Sequence, residues 1–98
     1  MSSNTFIKGV VEEVFMSVRP NLAAGVTVVS ATASAHDETT GQPDNTVLSS
    51  TIATVTDGAI VTVGCVGGVA GRRYRYDLLL TLSTGEIWRE QMWMEVRP

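Results

Sequence analysis

The apolar residues of this chain fall in short runs of Val, Thr, Ile and Leu, broken by Gly, Asp, Pro and Asn, and no long segment carries a helical stripe. β-Branched residues pack well on a pleated surface, so the texture is one of strands and turns. The pattern predicts six strands. The first runs from about Val10 to Val18; the Val18-Arg19-Pro20 step favours extended backbone, because proline pushes its predecessor away from α geometry. On that strand Glu12 and Glu13 face opposite sides. The second strand runs from about Gly25 to Ala35, after a turn at Pro20-Asn21. His36 to Asn45 is a polar loop rich in turn formers, long for a hairpin and suited to mobility or to ordering on a partner. The third strand covers about Thr46 to Val55, and the fourth about Ala59 to Val66, joined by a tight turn at Asp57-Gly58. Gly67-Gly68-Val69-Ala70-Gly71 makes a corner. The fifth strand spans about Arg72 to Leu82 and the sixth about Glu86 to Arg97. Regular strand spacing without helices predicts an all-β, two-sheet antiparallel sandwich of six to seven strands, with a small barrel as the alternative.

The last hairpin can be read to the residue. Side chains alternate, so Tyr74, Tyr76, Leu78, Leu80 and Leu82 share one face, and Trp88, Met92, Met94 and Val96 another. A two-residue turn at Thr84-Gly85 puts these faces on opposite sides. A three-residue turn, Ser83-Thr84-Gly85, pairs Leu80 with Trp88, Tyr76 with Met92 and Tyr74 with Met94, and both faces then meet one core. Gly85 would close that turn with positive φ. On the outer face the same register sets Arg75 opposite Trp93, a cation–π contact worth ~0.5–1 kcal/mol. It also sets Arg73 opposite Glu95. Glu90 fits poorly: it falls inward opposite Leu78, so either it reaches solvent near a sheet edge or the register fails there. Trp93, Leu79, Ile87 and Arg75 are therefore the candidate protein-contact residues, since an outward tryptophan with aliphatic neighbours marks a docking patch.

Length and charge narrow the options further. The chain has 98 residues, room for one domain (1–98) with residues 1–9 as a flexible N-terminal arm. Charged residues are only 17% of the chain, against roughly 25% in a typical domain, so the surface is expected to be rich in Thr, Ser and Gly or partly covered by a partner. A net charge of −3 disfavours nucleic acid as that partner, because phosphate binding draws on a basic field. One cysteine excludes an intrachain disulfide, in keeping with synthesis in a cytoplasm. No signal-peptide pattern and no run near ~18 apolar residues is present, so neither export nor membrane anchoring is expected.

The corner Gly67-Gly68-Val69-Ala70-Gly71-Arg72-Arg73-Tyr74 and the turn Thr84-Gly85 resemble two known patterns. Immunoglobulin-like domains place a tyrosine after a glycine corner, its ring in the core and its hydroxyl bonded across the corner. Gly68, Gly71, Tyr74 and Gly85 are the structural residues of that reading. The fuller pattern adds Gly67, Ala70 and the alternating Met92, Met94 and Val96. It resembles a family of small tailed-bacteriophage virion proteins labelled fiber-tail adaptors, from Val61-Thr62-Val63 to the end of the chain. The resemblance implies a structural or adaptor protein at the tail, neck or fiber attachment region. It further implies docking on other virion proteins, several copies in a symmetric assembly, and residence in the virion after synthesis in the host bacterial cytoplasm. The alternative is a free-standing adhesion or carbohydrate-binding module with the 36–45 loop as its ligand element.

Candidate chemistry is sparse. In Arg72-Arg73-Tyr74-Arg75-Tyr76, arginines and tyrosines point to opposite faces of a strand, so the segment is no stacking track for nucleic acid. The glycine corner lacks the Lys-Ser/Thr of a phosphate loop. His36, Asp37, Glu38 and Asp44 fit no EF-hand spacing. Cys65 lies in phase with Val61 and Val63 on an apolar strand, the setting of an inert thiol, and its sole histidine partner would be His36. The sequence thus predicts no catalytic residues, no metal and no cofactor: a protein that is not an enzyme.

Overall fold

A computed structural model describes residues 5–98, and these form an all-β sandwich of two separate sheets. The strands are β1 (Thr5–Gly9), β2 (Val14–Val18), β3 (Val28–Asp37), β4 (Gln42–Pro43), β5 (Thr54–Thr56), β6 (Ile60–Cys65), β7 (Arg73–Leu82) and β8 (Ile87–Arg97), with a 3-10 turn at Asn45–Val47. One sheet has the order β1-β8-β7-β3-β4 and the other β2-β6-β5. No helix among the described residues is long and apolar enough to cross a membrane.

The β7–β8 hairpin has the register that the alternation predicts. Tyr74 pairs with Met94, Tyr76 with Met92, Leu78 with Glu90 and Leu80 with Trp88. The turn closes through Gly85 N–H to the Leu82 carbonyl (2.9 Å), and Gly85 sits at φ 91°, where a Cβ would be strained. Tyr74, Tyr76, Leu78, Leu80, Met92 and Met94 are all buried, and they meet Met16, Val61, Val63 and Cys65 from the other sheet. Glu90 reaches solvent for a visible reason. β1 covers β8 only from Trp93 to Arg97, so at Glu90 the sheet ends. The Asp57-Gly58 turn also forms as expected, with both residues at positive φ and Ala59 N–H bonded to the Thr56 carbonyl.

Three elements depart from the sequence reading. Of the expected Val10–Val18 strand only Val14–Val18 is strand, and a turn before it carries the chain over from a strand of the other sheet. β1 ends at Gly9, residues 10–13 turn, and β2 begins at Val14. The turn is held by Glu12 N–H to the Gly9 carbonyl, by Gly9 N–H to the Glu12 carboxylate, and by Arg97 on the same carboxylate. Consequently residues 5–9 are no loose arm but a strand parallel to β8, while residues 1–4 of the expected arm lie outside the described residues. Among the described residues the sandwich thus has eight strands, one pair of them parallel.

The second departure is the Thr46–Val55 segment, which is strand only at its end. Ser49 N–H and the Val47 carbonyl bond to Gly64 and Val66 on the β6 side. Two residues on, the Thr51 carbonyl and Ala53 N–H bond to Ala33 and Ala31 of β3. The segment therefore crosses from one sheet to the other, and Ser50 Oγ accepts from Ile52 N–H where it bends. The third departure is the 36–45 loop. β3 runs on to Asp37, and residues 38–41 turn it back into β4, with Gly41 N–H bonded to the Asp37 carbonyl.

Candidate docking surface

The outer face of the five-stranded sheet is built from the odd residues of β7 and β8. It contains all four candidate contact residues, Trp93, Leu79, Ile87 and Arg75, but divides them. Leu79 and Ile87 are exposed, diagonal neighbours two residues out of direct opposition near the hairpin turn, since Leu79 pairs with Arg89 and Thr81 with Ile87. Trp93 lies six residues along β8 from Ile87, about 20 Å at the rise of a strand. Between them Gln91 donates to Asp77 (2.8 Å), which makes a polar bar across the face.

Around Trp93 the charges are interlocked. Arg73, not Arg75, stands over the indole, 5.7 Å from its centroid, which corrects the pairing expected from direct opposition. The correction is one of reach: Arg75 is drawn to Asp77 (3.2 Å) and Glu38 (3.8 Å). Arg73 also reaches Glu38 (3.5 Å) and Glu95 (3.8 Å), the latter as the register predicts. His36 lies 3.5 Å from Asp77. Each of these pairs is worth little in water, but Glu38 and Glu95 together anchor the guanidinium that covers Trp93.

Alternation separates the acids of the 36–45 loop. His36 faces outward, whereas Asp37 turns inward, is buried, and pairs with Arg72 at 2.8 Å. Burial works to raise the Asp37 carboxyl, but Arg72 and the N–H groups of Thr39 and Thr40 outweigh it and hold the acid below its usual range. Asp44 caps the 3-10 turn through Thr46 N–H. Cys65 is deep in the core, its thiol pushed up to about 11 by burial, on the opposite sheet from His36. The only thiol and the only imidazole are thus not brought together.

The corner residues form a tight unit at one end of the hairpin. Tyr74 is buried, and its hydroxyl accepts from Val69 N–H at 2.9 Å. Gly68 sits against that ring at φ 94°; a Cβ there would stand 2.8 Å from Val96 Cγ2 and 3.3 Å from Tyr74 Cε2. Gly71 N–H bonds to the Val96 carbonyl, tying the corner to β8.

One apolar region escaped the sequence reading. Ile7, Val10, Val11 and Phe15 are all exposed, Val11 by 98%, along the edge where the chain passes from β1 to β2. Hollows of about 420 and 380 Å³ flank it, the first reaching Ile7, Arg73, Glu95 and Arg97, the second Gly9, Val10 and Val11. A continuous strand over Val10–Val18 sets Val10 on the opposite face from Val11 and Phe15 and leaves Ile7 in the expected arm, which hid the patch. The available signal was Gly9 followed by two valines and two glutamates, a poor sequence for a central strand.

A family model described as podophage GP4 fiber-tail adaptor protein gp77 matches residues 11–95. The chain belongs to this fiber-tail adaptor family. The earlier resemblance, drawn from the corner and the last hairpin, thus extends over nearly the whole sandwich. A search of curated proteins returned no match. Among solved structures, CopC from Methylosinus trichosporium OB3b is similar, with a TM-score of 0.65 and 18% identity over 98% of this chain and 86% of that one. At that identity the likeness concerns the fold, a β-sandwich, and nothing of what CopC does.

Proposed function

We propose that this adaptor-family chain works as a single sandwich domain that joins tail and fiber proteins of a phage particle by protein–protein docking, in several copies per particle. The observation that carries the reading is the family match from residue 11 to 95. The surface supports it. Apolar side chains stand out along the β1–β2 edge and at Leu79 and Ile87, while Trp93 is held outward by Arg73. Such anchors contribute to binding by leaving water, with each large side chain worth about 1.5–3 kcal/mol when fully buried. No step of this mechanism calls on a nucleophile, a metal or a cofactor. In the alternative of a glycan-binding module, the 36–45 loop would supply the ligand groups; its acid Asp37 is instead spent on Arg72 inside the fold.

Mass spectrometry of purified particles of the phage encoding this chain, followed by cryo-EM, tests the proposal. The expected result is density for the sandwich between tail and fiber, with Trp93 or the β1–β2 edge covered. Absence of the protein from intact particles would overturn it. Trp93→Ala is expected to lower incorporation while leaving the isolated chain within about 1 kcal/mol of its parent in stability.

A further inference from the structure

The β1 strand differs from every other strand of the sandwich. It lies parallel to its partner, at the edge of the larger sheet, and β8 is its only strand partner among the described residues. It also precedes residue 11, where the family match begins. Its connection to the rest of the molecule is the 10–13 turn, whose Val11 is almost fully exposed and whose closing bonds are the few made by Gly9, Glu12 and Arg97. Yet the strand is keyed to its seat. Lys8 is 1% exposed, with its ammonium donating to the Gly9 and Val10 carbonyls at 2.6 and 3.3 Å, and Phe6 packs against the core. A one-residue slip would turn Lys8 outward and Ile7 inward, so the register is specified.

A strand that carries its own specific seat, on a short exposed hinge, has the ingredients of strand exchange. We infer that β1 of one copy docks on β8 of a neighbouring copy, filling the same seat in trans. Every contact of β1 with β8 is identical in the exchanged form, so exchange costs only the hinge bonds and the entropy of association, which high local concentration offsets. Head-to-tail exchange around a ring would leave no empty seat and no open β8 edge. The inference would hold for a free sandwich as well as for a virion subunit, so it can fail while the adaptor reading stands.

Ile7 and Glu95 are opposed in the β1–β8 pair and both are exposed, which makes them a reporter. Full-length Ile7→Cys and Glu95→Cys chains are prepared separately, then mixed, refolded together at high concentration and oxidised. Buried Cys65 stays out of the reaction, its thiol being pushed up to about 11. The expected result is a covalent dimer that forms in the mixture and not in either chain alone. The chain with both substitutions should close its own disulfide at high dilution and link to neighbours as concentration rises. A mixture without covalent dimer overturns the inference. So does equal dimer in the separate chains, which would mean random collision, and so does a doubly substituted chain that never closes, since β1 would then not occupy the seat.

Discussion

The β7–β8 hairpin and the segment from Thr46 to Val55 are both ordered, but they obtain their order in different ways. In the hairpin each residue meets a partner on a neighbouring strand joined by a three-residue turn, and alternation alone assigns its face. In the crossing segment, Ser49 bonds to Gly64 of β6 and Val47 to Val66 just past it, while Thr51 and Ala53 bond to β3, so residues two apart answer to different sheets. The hairpin is a local pattern, whereas the crossing segment exists only once both sheets do. Its hydrogen bonds are as necessary as those of the hairpin, because buried backbone groups must be paired. The lesson is that strand-like composition measures suitability for a pleated surface and does not show that one sheet will claim the segment.

Substitutions can separate the two regions, beginning with the largest effect. Leu80→Ala empties a fully buried site in β7 and should cost about 2–5 kcal/mol in urea unfolding, with loss of both regions together. Partial unfolding that spares the crossing segment would break the comparison. Tyr76→Phe comes next, at about 1–1.5 kcal/mol, since it removes the 3.0 Å bond from the tyrosine hydroxyl to the Val47 carbonyl, which keeps only the Val66 N–H as its donor. This bond ties the hairpin to the crossing segment, so hydrogen exchange should quicken at residues 47–53 more than in β8.

High pH probes the same junction. Burial raises both the Tyr76 hydroxyl and the Cys65 thiol, the thiol from 9.0 to about 11. The folded chain keeps the Cys65 proton between those values while the unfolded chain loses it, so stability is full below about 9 and falls as pH rises towards 11. A thermal midpoint unchanged across that window would contradict it. At the acid end Asp37 has the opposite sense: its stabilisation is present above the ordinary 3.8 and is lost as pH falls through its lowered value.

Smaller effects sharpen the contrast. Gly85→Ala forces a Cβ onto φ 91° and should cost about 1 kcal/mol, seen as a shift in denaturation midpoint without a change in slope. Ser50→Ala removes the acceptor for Ile52 N–H at the exposed bend and should cost at most about 0.5 kcal/mol, with faster exchange confined to residues 50–53.

Particular residues show where the sequence was legible. The turn ending at Gly85, the inward set Tyr74 to Leu82, the Asp57-Gly58 turn and the edge position of Glu90 all follow from alternation and turn chemistry. Trp93, Leu79, Ile87 and Arg75 were placed on the outer face by the same rule. What alternation did not supply was lateral reach: Arg73 rather than Arg75 covers Trp93, because Glu38 and Asp77 from elsewhere draw Arg75 away. The β1–β2 edge was hidden for a related reason. Glu12 bonding back to Gly9 and Arg97 closes a turn that no periodicity announces.

By itself the sequence determined which faces are apolar, where tight turns fall and how the last two strands pair, since each depends on neighbours a few residues apart. The glycine corner and final hairpin also carried the family likeness. Tertiary structure alone decided that Lys8 is buried, that β1 lies parallel on β8, that residues 46–55 stitch two sheets together, and which apolar residues were left outside. Those outcomes depend on contacts between segments remote in the chain, whose cost and reward appear only when both sheets have met.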